Sequence, residues 1–151
     1  MKDWSEPMVH ERNVRTFQQF DRPVNVLSTN SSWLMSSLVM GCKGLLSGAG
    51  AGSVVASQQV ELFEAVQRND LVAARAVNDR LYPLQQAFYA PPFLDMHNRM
   101  KEALVILGQF RSATVRPPLL KLDAGEIERV RAALIESGLL ERTAHPYRNR
   151  S

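Results

Sequence analysis

Cysteine occurs once in this sequence of 151 residues, at Cys42. A lone thiol cannot form an internal disulfide, so a reducing cytoplasm is the expected home. Cys42 reads as a small buried apolar residue rather than a nucleophile. Histidine is nearly as scarce. His10, His97 and His145 lie far apart and form no spaced ligand pair, so no metal site is expected. A long apolar run is also missing. The stretch 33–55 leans apolar but is broken by serines, glycines and Lys43, which makes it a poor membrane span. The N-terminus, Met1-Lys2-Asp3-Trp4, has no apolar signal region. Gly48-Ala49-Gly50-Ala51-Gly52 lacks the lysine and serine of a phosphate loop and the full dinucleotide pattern. It reads as a loop of small residues, and no cofactor is expected.

What is present suits a soluble globular chain. The hydrophobic fraction is 45% and the charged fraction 22%, which argues against disorder. The net charge is +3, but the basic residues are scattered. Their clearest cluster, Arg142, Arg148 and Arg150, lacks the interleaved aromatics of a nucleobase-stacking surface. Residues 142–151 are therefore expected to be a solvated basic tail, with neither a nucleic-acid nor a membrane partner.

Periodicity divides the chain in two. Ser5-Glu6-Pro7 reads as a helix start, with serine as the cap, and the helix is predicted to run to about Gln19 with Val14 and Phe17 on one face. Residues 24–28 form a predicted strand. Asn30 or Ser31 can cap a following helix in which Leu34 and Leu38 share a face, and Gly41 suits its left-handed close. Residues 44–47 form a second short apolar strand. Helix, strand, helix, strand with short links is the rhythm of a parallel α/β sheet.

From Ser57 the pattern is helical throughout. Val60, Phe63 and Val66 support a helix to about Arg68. Asn69-Asp70 interrupts it and caps the next, where Ala74, Val77, Leu81, Leu84 and Phe88 recur at spacings of three and four; Pro83 should bend that helix locally. A further helix over 93–107 carries Met100, Leu104 and Leu107 inward and ends at Gly108. Asp123-Ala124-Gly125-Glu126 is a capping box. It opens a last helix with Ile127, Val130 and Leu134 inward and Gly138 as its stop.

Two parallel strands leave unpaired edges, and parallel strands are normally buried within larger sheets. The residues thus point to a piece of a larger α/β domain.

Val26-Leu27-Ser28-Thr29-Asn30, a helix, then Met40-Gly41-Cys42-Lys43-Gly44-Leu45-Leu46-Ser47 together resemble the seventh and eighth strands of the dihydrodipicolinate synthase / N-acetylneuraminate lyase family. The likeness continues through Asn69-Asp70-Leu71-Val72-Ala73-Ala74-Arg75, Met100-Lys101-Glu102-Ala103-Leu104 and Val115-Arg116-Pro117-Pro118-Leu119, to about Leu140. Single motifs are weak; their order and spacing carry the resemblance. It implies the C-terminal part of a (β/α)₈ TIM barrel plus a helical extension. Residues 1–56 would be partial barrel, from the end of the sixth strand to the eighth. Residues 57–141 would be the final barrel helix and the extension.

The resemblance also implies chemistry. Lys2 falls where the family's Schiff-base lysine stands, Thr29 where a backbone contacts substrate, and Leu46 where an aliphatic residue packs by the lysine. The 48–52 loop would lie at the barrel mouth, where barrel enzymes place their sites. The implied partner is a 2-keto acid such as pyruvate, and the parent would form a tetramer. Thr29-Asn30-Ser31 stands where many synthases carry Gly-Asp-Asp, and the 90–97 stretch also departs from theirs. These departures favour aldolase or dehydratase action on 2-keto-3-deoxy sugar acids over 4-hydroxy-tetrahydrodipicolinate synthesis. The family's carboxylate-binding Gly/Thr motif and catalytic tyrosine belong to earlier strands, so the 151-residue chain alone is expected to be inactive. A non-catalytic helical interaction module is the rival expectation.

Overall fold

The structure is a computed structural model and describes residues 1–47 and 49–141. The expected basic tail lies outside the described residues, apart from which the chain alternates short strands and helices before becoming wholly helical. Strands β1 (Lys2–Asp3), β2 (Leu27–Ser28) and β3 (Gly44–Leu45) form one parallel sheet in that order. The register pairs Lys2 with Leu27 and Leu27 with Gly44, then Asp3 with Ser28 and Ser28 with Leu45. The sheet thus has one strand more than periodicity alone predicts, because Lys2-Asp3 is itself extended and paired.

The strands are shorter than the β-branched runs suggest, and the reason is competition for the backbone. The Val24 N–H donates to the Phe17 carbonyl at 2.9 Å, and the Val26 N–H to the Gln18 side chain at 3.2 Å. The predicted 24–28 strand therefore starts only at Leu27. Helix α1 (Pro7–Phe17) ends at the residue that takes the first of these bonds. Its expected serine cap is diverted: the Ser5 amide and hydroxyl both donate to the Asp3 carboxylate, at 2.9 and 2.6 Å. Glu6 takes the cap position without a side-chain bond, and Pro7 opens the first turn.

Helix α2 (Leu34–Val39) buries Leu34 and Leu38 as their spacing requires. Asn30 does not cap it. The Asn30 Oδ1 accepts from the Ser32 amide and hydroxyl, a local turn one residue ahead of the Trp33 cap position. Gly41 closes the helix at φ +99°, a region that penalises any Cβ.

Helix α3 (Ala49–Gln67) begins well before Ser57, so the loop expected over 48–52 is helical from Ala49 onward. Val55 departs from helical geometry (φ −124°, ψ 21°) and splits α3 by a kink. Of the residues whose spacing supports the helix, Phe63 and Val66 pack against the core beside the buried Leu62 and Ala65, while Val60 is 56% exposed. Helix α4 (Leu71–Phe88) matches its pattern, with Ala74, Val77, Leu81, Leu84 and Phe88 all buried and the Asp70 carboxylate capping the Ala73 amide at 2.9 Å. The helix runs on through Pro83.

A 3₁₀ turn (Phe93–Asp95) leads into α5 (Met96–Ile106), and α6 (Ala124–Glu136) completes the described chain. Half of the capping box forms: the Asp123 Oδ1 accepts from the Glu126 amide at 2.8 Å. The Glu126 carboxylate turns instead to Arg99, at 2.8 Å, and Arg129, at 2.6 Å. One hydrophobic cluster runs from Val14 and Val26 through Leu62, Leu81 and Phe88 to Met100 and Leu134. Helices and sheet therefore share a core.

Candidate active site

Successive strand residues face opposite sides of a sheet. The parallel register therefore sorts this one into two faces. Asp3, Ser28 and Leu45 share one side; Lys2, Leu27 and Gly44 share the other. Lys2 is exposed and Asp3 is buried, at 5% exposure. The amine thus stands on the open face, with Asp3 turned toward the helices.

Two further bonds prolong the ladder past the strand ends. The Thr29 N–H donates to the Asp3 carbonyl at 2.9 Å, and the Leu46 N–H to the Ser28 carbonyl at 2.8 Å. Thr29 lies two residues beyond Leu27, and Leu46 two beyond Gly44, so both return to the Lys2 side. The three residues singled out in the sequence are thereby brought to one face, at the C-terminal ends of adjacent parallel strands. Thr29 is buried and Leu46 is 41% exposed. At Gly44, beside Leu27, an added Cβ would stand 3.2 Å from the Leu27 side chain. The small residue leaves the lysine layer open at its far end.

The opposite face carries a buried polar chain that the sequence patterns did not reveal. Asp3 accepts from Ser5, from the Asn13 amide at 3.0 Å and from the His10 Nδ1 at 2.9 Å. The His10 Nε2 lies 2.8 Å from the Ser37 hydroxyl, which is 3.2 Å from the Cys42 sulfur; that thiol reaches the Gly44 carbonyl at 3.4 Å. Burial alone would raise the Asp3 pKa, but hydrogen bonds from Ser5, Asn13 and His10 outweigh it and hold the carboxyl at about 2. The order acid, imidazole, hydroxyl is that of a hydrolase triad. Here His10 and Ser37 are fully buried under Trp33, whose ring meets the imidazole edge-on at 5.0 Å. No substrate reaches that hydroxyl. The chain instead ties β1, α1, α2 and β3 together behind the lysine.

Three aromatic rings adjoin the strand ends. Trp4, directly after β1, stacks on Phe93 at 5.5 Å, and Phe93 meets Tyr89 at 5.9 Å. Burial raises the Tyr89 pKa, with the Ser31 hydroxyl acting in the opposite sense. Arg99 is the other residue without a sequence signal. It is 1% exposed and donates to the carbonyls of Phe88, Ala90, Pro91 and Pro92, besides pairing with Glu126. It thereby organises the link from which Phe93 projects.

Among the described residues no cluster of three or more His, Cys, Asp or Glu is placed to hold a metal ion. No helix among them is long and apolar enough to cross a membrane.

Comparison with known proteins identifies the family. The dihydrodipicolinate synthetase family model matches residues 1–137. The 4-hydroxy-tetrahydrodipicolinate synthase of Methanoculleus marisnigri is 29% identical over 78% of this chain and 38% of its own length. That of Halorhodospira halophila is 35% identical over 67% of this chain and 32% of its own. Among solved structures, the dihydrodipicolinate synthase of Thermotoga maritima aligns with a TM-score of 0.75 at 28% identity, over 87% of this chain and 42% of that one. YagE, a prophage protein from E. coli K12 in complex with pyruvate, aligns with a TM-score of 0.78 at 25% identity, over 92% of this chain and 46% of that one. The chain thus spans less than half the length of these relatives, and it belongs to the dihydrodipicolinate synthetase family.

Proposed function

We propose that this chain carries the Schiff-base lysine of a class I lyase acting on pyruvate or a related 2-keto acid. Lys2 is the nucleophile. The carrying observation is its register: the amine stands on the open face, one layer below Thr29 and Leu46, at the ends of three adjacent parallel strands. In this reading those strands are the last of a barrel, and the helices after them are the final barrel helix and its extension.

The chemistry needs a neutral amine, which burial or a neighbouring cation supplies in a finished site. The amine adds to the keto carbon and water leaves. The protonated imine then acts as an electron sink: in cleavage the C3–C4 bond breaks into the imine as the C4 hydroxyl loses its proton and C4 leaves as an aldehyde, and in dehydration C3 loses a proton and the C4 hydroxyl leaves as water. The Thr29 backbone and the Leu46 side chain line the approach. The Schiff-base step requires only the 2-keto acid end of the substrate. Residues 29–31 support aldolase or dehydratase action. Synthesis of 4-hydroxy-tetrahydrodipicolinate is the second reading, favoured by the names of the curated relatives.

The sheet, open at both edges among the described residues, leaves a cleft of about 430 Å³ between β3 and α3. This exposure supports the view that the chain is inactive alone. The test is intact mass after pyruvate and borohydride, with peptide mapping. An adduct on Lys2, absent from Lys2→Ala, is expected in a chain extended upstream to complete the barrel. If that extended chain stays unlabelled, the Schiff-base mechanism is wrong.

A further inference from the structure

The helical extension holds a cleft that the proposed chemistry of Lys2 does not use. It has a volume of about 630 Å³ and opens between α5, α6 and the link over residues 107–123 that joins them. That size suits one small molecule. Val105 and Ile106 of α5, Leu119 of the link and Ile127 of α6 give it aliphatic walls. Arg111, Lys121 and Arg131 also line it, together with one acid, Glu102. Glu102 is 7% exposed, yet among the described residues its carboxylate accepts no hydrogen bond and closes no ion pair. Burial pushes its pKa up, and the charge of Lys121 works the other way. Buried acids are normally paired, because stripping water from a carboxylate is costly. An unmet acid lining a cavity is therefore open to a donor from outside the chain.

The cations have charge to spare as well. Arg131 reaches Glu128 only at 3.5 Å, and Arg111 and Lys121 close no ion pair among the described residues. The cleft thus offers both signs of charge over an aliphatic floor. A plain fatty anion would set its charge against Glu102, and a plain amine would face three cations. A molecule that carries an ammonium and a carboxylate on one apolar body answers both. From these observations we propose that the cleft binds a free α-amino acid with an aliphatic side chain. Its ammonium meets Glu102, its carboxylate meets Arg111, Lys121 and Arg131, and its side chain packs on Val105, Ile106 and Ile127. The site lies outside the sheet and does not depend on the role of Lys2.

The link is braced before any ligand arrives. The Lys101 Nζ donates to the Thr114 carbonyl at 2.8 Å, and the Asn98 amide to the Leu120 carbonyl at 3.0 Å. Both donors stand on α5, so the segment that carries Arg111 and Lys121 is held against the helix that carries Glu102. Such bracing limits the ordering cost on binding.

Isothermal titration calorimetry of the 151-residue chain tests this with three probes. They are L-leucine, 4-methylpentanoate, which lacks the amine, and 3-methylbutylamine, which lacks the carboxylate. Leucine is expected to bind about tenfold more tightly than either, the scale of one charge-assisted hydrogen bond. Glu102→Gln should bring leucine to within about twofold of 4-methylpentanoate. Lys121→Gln, at an exposed position where folding is not at stake, should weaken leucine and 4-methylpentanoate but not 3-methylbutylamine. Circular dichroism checks that each variant is folded, and Lys121→Gln carries the test alone if Glu102→Gln is not. Absence of leucine binding overturns the proposal. So does 4-methylpentanoate binding as tightly as leucine, which would leave only a basic apolar patch. A leucine affinity that survives either substitution in folded protein overturns it too.

Discussion

Replacing Asp3 by Asn should destabilise the chain by about 3–5 kcal/mol at pH 7, and the part of that loss due to ionisation should fade in acid. The Asp3 side chain is nearly inaccessible and accepts four hydrogen bonds, two of them from Ser5 and one each from His10 and Asn13. Its carboxyl titrates at about 2 against an ordinary 3.8. At about 1.4 kcal/mol per pKa unit, that gap amounts to roughly 2 kcal/mol of stability. An asparagine amide turned toward His10 and Asn13 would meet donors with a donor, and a buried unsatisfied donor adds about 1–3 kcal/mol. The sign follows from the depressed pKa. The folded chain holds the ionised form more tightly, so this contribution is complete above the ordinary carboxyl pKa. It is lost as pH falls from about 5 through about 2. Asparagine does not titrate, so the gap between the two proteins should narrow by roughly 2 kcal/mol over the same window, leaving the cost of the misplaced donor. Urea titrations followed by circular dichroism at 222 nm, at steps from pH 7 to pH 2, measure it. A gap under about 0.5 kcal/mol at pH 7 would refute the reasoning, as would one that stays constant down to pH 2.

Arg99→Met should cost about 3–5 kcal/mol in the same titration, because it strips the donor from four carbonyls and leaves Glu126 only Arg129. Arg99→Lys should recover less than half of that, since one ammonium cannot span the guanidinium's fork. Asp123→Ala should cost about 1 kcal/mol by removing the cap on the Glu126 amide, read as a fall of about 2–4 °C in thermal midpoint; an unchanged midpoint would mean that the helix start is held by packing alone.

Local periodicity made the helices of the second half legible. The inward face of α4 follows from spacing alone, and Gly41 and Gly138 both adopt positive φ where a helix was expected to stop. In α3 the spacing marks the helix, with Phe63 and Val66 packed on the core, but Val60 is exposed, and no residue type announces the kink at Val55. The strands came out too long, since propensity does not register that the Phe17 carbonyl and the Gln18 side chain compete for the backbone of residues 24–26. At the candidate site, Lys2, Thr29 and Leu46 were found through resemblance, and the register then placed them on one face. Asp3, His10, Ser37 and Arg99 carried no periodic signal. Their partners lie up to 27 residues away, and long-range polar pairing leaves no trace in a window of neighbours. Trp4 escaped notice for the same reason: its stacking partner lies on the 3₁₀ turn that begins at Phe93.

The guanidinium of Arg99 has a consequence for how the two ends of the molecule depend on each other. Its carboxylate partner, Glu126, stands in the first turn of α6, while its other contacts grip the segment that aims Phe93 at Trp4. A single cation thus acts as a turnbuckle between the last helix and the rim above the lysine. Trimming or reshaping α6 would slacken that rim without touching any residue that lines it. Changes far along the chain, neutral for the sheet, would then loosen the stacking of Phe93 on Trp4.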